Sequence, residues 1–117
     1  MNLKEHFFMF EDGIDLSGIQ LIVQDEPFLF IGRGSHTYVF ERGLKELDIP
    51  FEKIEHGRQR IVKPSGELYK AVGMGLSMAG KDWFTLSQSS STYWLSVNLG
   101  HLERMKPYLD GYELMQP

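Results

Sequence analysis

Along the first fifty residues the spacing of apolar positions changes once. "EHFFMF" (5–10), "GIQLIVQ" (18–24) and "PFLFIG" (27–32) are short runs rich in aromatic and β-branched residues, separated by "EDGIDLSG" and "QDEP". Side chains of the first kind favour strands, and Asp, Gly, Ser and Pro favour turns, so three strands are predicted. The spacing then becomes helical. In "SHTYVFERGLKELDIP", Phe40, Leu44 and Leu47 share one side while Glu41, Arg42, Lys45 and Glu46 occupy the other. This predicts the main helix over 36–47, capped by Ser35 or Thr37 and closed by Pro50.

Residues 51–66 read as strand, turn at Gly57, strand, with a second turn at Pro64–Gly66. From 68 to 78 the even positions are Leu68, Lys70, Val72, Met74, Leu76 and Met78, and the odd ones are Tyr69, Ala71, Gly73, Gly75 and Ser77. Alternation of this kind predicts an extended segment. A helix here would carry Gly73 and Gly75 in its interior, each at about 1 kcal/mol relative to alanine. That helix would instead give residues 27–87 a ferredoxin-like β-α-β-β-α-β order, the main alternative fold. Leu102, Met105 and Leu109 predict a short helix near 101–109, interrupted by Pro107. The expected fold is α+β and a single domain over 1–117. It has an antiparallel sheet of about five to seven strands, one main helix and a short C-terminal helix.

"DWFTLSQSSSTYWLSVN" (82–98) places both tryptophans of the chain in one serine-rich stretch. Read as a hairpin with Ser87 facing Thr92, it sets Thr85 opposite Trp94 and Trp83 opposite Ser96. Phe84, Leu86, Tyr93, Leu95 and Val97 then form a core face. Trp83, Thr85, Ser87, Thr92, Trp94, Ser96 and Asn98 form the other, and a slip of one residue would exchange the two. Two indoles among Thr, Ser and Asn have the composition of a contact surface. The alternative is a second core beneath a covering element.

Composition narrows the function classes. The chain has 117 residues, 42% of them hydrophobic, a globular content for one domain. It has no cysteine, so disulfides, thiolate metal sites and a cysteine nucleophile are excluded, and a reducing, cytoplasmic setting fits. No apolar run approaches the roughly 20 residues of a membrane-spanning helix, and the acidic residues after "FFMF" argue against a secretory leader. The net charge is −4, unevenly spread: −5 over residues 1–30, +2 over 31–70 and −1 over 71–117. Only the middle third can carry a basic patch.

That patch is "HGRQRIVK", where Arg58, Arg60 and Lys63 sit on a strand and its turn. They suit phosphate or an acidic protein surface, or alternatively serve as an edge that resists aggregation. "FIGRGSHT" puts Gly32, Arg33, Gly34 and Ser35 between strand and helix, a place where backbone amides can hold an anion. The alternative is a tight turn with a serine cap. His6, His36, His56 and His101 lack metal-ligand spacing, and no metal or cofactor is expected. His36, His56 and Lys63 are the one set of ribonuclease-like composition. Met74 and Met78 are expected to fill gaps in the core.

The function expected is a small binding domain without catalysis, recognising a protein partner as an inhibitor or accessory factor, or self-associating as a homodimer. The contact residues are Trp83, Thr85, Trp94 and Ser96, with Arg58, Arg60 and Lys63. The rival readings are a nucleic-acid-binding module using the 56–63 strand and a small-molecule pocket lined by Met and Trp.

Overall fold

The computed structural model describes residues 6–90 and 92–115, and only the backbone of His56. Glu5 in the first predicted strand and Ser91 in the serine run lie outside the described residues.

The predicted first three strands form β1 (Phe7–Met9), β2 (Gly13–Val23) and β3 (Glu26–Arg33). β2 and β3 make an antiparallel hairpin whose two turn residues, Gln24 and Asp25, both have positive φ, the geometry of a tight hairpin turn. Helix α1 (His36–Glu46) follows, with the Ser35 hydroxyl accepting from the Tyr38 amide at its start. A hairpin of β4 (Phe51–His56) and β5 (Gln59–Pro64) turns at Gly57–Arg58 and stands as its own two-stranded sheet. Residues 69–79 are the extended strand β6 (Tyr69–Ala79), so the helix that the ferredoxin-like order requires is absent. Then come β7 (Trp83–Ser87), the small pair β8 (Ser89–Ser90) and β9 (Leu95–Ser96), helix α2 (Leu99–Met105) and β10 (Glu113–Leu114). Pro107 enters a single 3-10 turn over Lys106–Tyr108, ending α2 where the sequence suggested an interruption.

The expected antiparallel sheet is overturned. The main sheet is mixed and curled, in the order β1-β3-β2-β6-β7-β10. β1 runs parallel to β3, and β10 runs parallel to β7. The physical reason lies at the edges. Phe10–Asp12 arches over the end of β3, tied there by the Phe10 amide to the Ile31 carbonyl and by the Arg33 amide to the Glu11 carboxylate, each at 2.8 Å. That arch sets β1 on the far side of β3 instead of beside β2. At the other edge, the chain leaving α2 comes back along β7, with the Glu113 amide donating to the Asp82 carbonyl and the Met115 amide to that of Phe84. Two helices flank the sheet, α1 and the short α2.

Alternation divides the sheet into two faces. On one, Leu16, Leu29, Ile31, Phe84 and Leu86 meet Leu102 and Met105 of α2. On the other, Ile19, Phe28, Phe30 and Met74 meet Val39, Phe40 and Leu44 of α1, with Val62 of β5 beside them. The even-odd reading of β6 holds only in part. Gln20 pairs with Gly73 but Leu21 with Ala71, so a bulge places Tyr69 and Ala71 on the same face as Met74. Gly73 and Gly75 have a packing role. A Cβ on Gly73 would lie 2.9 Å from the Ser96 carbonyl, and one on Gly75 would strike the Val97 side chain. Their bareness lets residues 96–97 lie directly on the strand.

Candidate functional site

β6 and β7 pair with Met78 opposite Thr85 and Leu76 opposite Ser87, and β10 sets Glu113 opposite Trp83. Period-two geometry therefore brings Leu76, Met78, Trp83, Thr85 and Glu113 onto one face, the face that carries α1 farther along the sheet. Helix α1 lies against β2, β3 and β5, and neither Leu76 nor Met78 belongs to either core cluster. Met78 is 39% exposed and Trp83 36%, while Thr85 between them is 4% exposed and forms a floor. Together with Asp82, Gly111, Tyr112, Glu113 and Met115 they line an open groove of about 630 Å³.

The groove is held by backbone pairing and two side-chain bonds. The Met78 amide donates to Thr85 Oγ1 at 3.1 Å, and Ser77 Oγ donates to the Thr85 carbonyl. The Trp83 indole is seated on Gly80, whose Cβ, if present, would collide with the ring nitrogen. An indole placed by such contact loses little freedom when a ligand meets it. Two carboxylates, Asp82 and Glu113, stand on the rim. Neither takes part in an ion pair among the described residues.

The structure does not bring Trp83 and Trp94 together. Residues 83–98 are not one hairpin: β7 pairs with β6, and β9 pairs with β8 as Ser89 with Ser96 and Ser90 with Leu95. The chain leaves the sheet at Gln88, which has φ 70°. Trp94 lies in the turn before β9, 90% exposed and with φ 55°, beside a shallow hollow formed with Val72, Ser96 and Leu99. Ser96 is exposed there. Tyr93, expected in the hairpin core, instead reaches α1. It packs edge-on to Phe40, and its hydroxyl accepts the Val62 amide at 2.9 Å.

The other candidate residues lie elsewhere. Arg58, in the turn of the β4–β5 hairpin, and Arg60 and Lys63 on β5 are exposed. Arg60 sits 3.4 Å from Glu55, and Lys63 is the register partner of Glu52, so acids face two of the three cations. Gly32, Arg33, Gly34 and Ser35 form the turn from β3 into α1. Its anion is supplied from within: Glu11 takes the Arg33 amide and pairs with Arg42 of α1 at 2.5 Å. Those two contacts, the Arg33 amide foremost, hold the Glu11 carboxyl below its ordinary range.

The histidines are scattered. His6 is stacked between the rings of Phe28 and Tyr108, with Nε2 3.1 Å from Glu26. His36 Nε2 donates to the Gly75 carbonyl at 2.9 Å. His101 is half-buried, and burial first, then Arg104 and Lys70, push its pKa down. The side chain of His56, third member of the ribonuclease-like set, lies outside the described residues. Among the described residues, no group of three or more His, Asp or Glu side chains is placed to hold a metal ion, and no helix is long and apolar enough to cross a membrane.

Sequence reasoning found Trp83 and Thr85, expected Met78 in the core although it is exposed and lines the groove, and missed Leu76, Asp82, Tyr112, Glu113 and Met115. The alternation 76, 78 and 83, 85 across a turn at Gly80 carries the signal for Leu76. Nothing local signals the β10 residues, because a pairing with β7 about thirty residues away brings them in. No protein-family model matches the chain, and no curated protein matches it in sequence.

Proposed function

We propose that the protein is a cytoplasmic binding domain that recognises a protein partner through the open half of the α1-side sheet face. The observation that carries this reading is the group of large apolar side chains at Met78, Trp83 and Met115, all partly exposed around one groove, with exposed Leu76 on the same sheet face. Contiguous apolar surface on a folded monomer marks interaction sites far more often than scattered apolar residues do. A tryptophan in a rigid setting with methionines beside it is the composition of an interface anchor. Paired strands hold the site, so binding needs little ordering.

A second reading, a small-molecule pocket lined by Met and Trp, draws support from the groove's volume, which falls within the range of ligand sites. Its openness along the sheet edge favours a polypeptide.

Photo-crosslinking in living cells tests the proposal. Benzoylphenylalanine in place of Met78 should give one discrete adduct of higher mass, and the same group in place of exposed Glu46 on α1 should not. An adduct of twice the chain mass identifies the partner as a second copy. No adduct from position 78, or equal adducts from both positions, contradicts the reading.

A further inference from the structure

We infer that the groove takes a cationic segment of the partner. In this arrangement an extended run of residues places a lysine or arginine over the Trp83 ring, between the carboxylates of Asp82 and Glu113. The inference rests on the reading of the open sheet face as a contact surface and adds the chemistry of what lands there.

Three observations carry it. First, both rim charges are acidic and uncommitted. Glu11, Glu41, Glu55 and Glu103 each pair with a lysine or arginine and Glu26 with His6, whereas Asp82 and Glu113, like Asp12, Asp15 and Glu67, have no ion-pair partner among the described residues. Lys81, the cation next in sequence, does not line the groove. Second, the two acidic residues share the groove lining with the indole. Glu113 is the register partner of Trp83, and its amide donates to the Asp82 carbonyl at 2.9 Å, so the two backbones run side by side at the ring. A cation over an indole is attracted by the negative face of the ring, and neighbouring carboxylates add charge-assisted hydrogen bonds. Third, large apolar side chains stand around the Thr85 floor. Met78, Tyr112 and Met115 suit the aliphatic stem of a lysine or arginine, whose charged head then reaches the rim. The net charge of −4 works in the same direction at longer range, drawing a basic partner in and repelling phosphate.

The test uses the protein with Trp94→Phe, which leaves Trp83 as the one tryptophan. The probe is the blocked peptide Leu-Arg-Leu-Arg-Leu, compared with Leu-Gln-Leu-Gln-Leu, and the readout is Trp83 emission. The arginine peptide should produce a saturable change with an affinity at least about tenfold above that of the glutamine peptide. Asp82→Asn with Glu113→Gln should remove that advantage, and raising salt from about 0.05 to 0.5 M should shrink it. Equal affinity for the two peptides overturns the cationic inference and leaves the contact-surface reading standing. No saturable response to the arginine peptide overturns the inference whatever crosslinking from position 78 shows. Absence of both response and adduct overturns the two together.

Discussion

Met74 and Met78 are two pleat repeats apart on the same strand, on the same face, and of the same residue type. Met74 is 0% exposed, packed with Ile19 and Phe30 beneath α1, and Met78 is 39% exposed beside Trp83. Composition and periodicity treat them alike. The difference is what lies above: α1 packs on β2 and β3 over Met74, whereas Met78 belongs to neither core cluster. An apolar position on a sheet becomes core or contact surface according to the element that reaches it, and that is decided by topology, not by the residue.

The largest expected effect tests the covered half. Phe30→Ala, which empties the space between the sheet and α1, should cost about 3–5 kcal/mol in urea unfolding. A loss below about 1 kcal/mol would mean that α1 does not seal this half.

Trp94 sharpens the contrast from outside both halves, since a 90% exposed side chain leaves its backbone as the main variable. At φ 55° a β-branched residue is strained and asparagine is tolerated. Trp94→Val should therefore be less stable than Trp94→Asn by about 1–2 kcal/mol. Equal stabilities would show that the turn does not hold that conformation.

Gly80→Ala addresses the open half. The new methyl group collides with the Trp83 ring nitrogen, and the ring, free on one side, can swing away. The expected cost is about 1 kcal/mol, the low end for overpacking. In the Trp94→Phe background, Trp83 emission should move to longer wavelength. Unchanged emission would mean that the indole is not seated on Gly80.

The smallest effect concerns the clamp on the cover. Glu11 ties Arg42 of α1 to the Arg33 amide of β3, and its carboxyl lies below the ordinary value of 4.5. A carboxyl lowered in the folded state stabilises above its unfolded value and loses that contribution as pH falls through its folded value. Glu11→Gln should therefore lower stability by less than about 1 kcal/mol at neutral pH, as partly exposed pairs do. The gap to the parent protein should close as pH falls from 4.5. A gap that persists in acid would assign the effect to packing.

How far the sequence was legible follows from the range of each interaction. α1 was readable because Phe40, Leu44 and Ser35 lie within a few turns of one another, and β6 because its alternation is local. β1 and β10, only three and two residues long, carry no signal of their own, and their parallel pairing depends on connections that cross strand ends. The assumed 83–98 hairpin failed at two residues: Gln88 and Trp94 take positive φ, which neither residue type advertises. For the site, alternation exposed Trp83 and Thr85. The acidic rim stayed hidden because Glu113 meets Trp83 only through the sheet.

Cover decides the fate of an apolar position on this sheet, and Met74 and Met78 test that as a pair. Urea unfolding of Met74→Ala and Met78→Ala is the direct measurement. Met74→Ala should cost about 2–5 kcal/mol, a buried truncation with its cavity. Met78→Ala should cost about 1 kcal/mol or less, since solvent already reaches the site. Equal losses of 2 kcal/mol or more, by the same measure of buried truncation, would place Met78 in a sealed core and contradict the open face on which the proposed function stands.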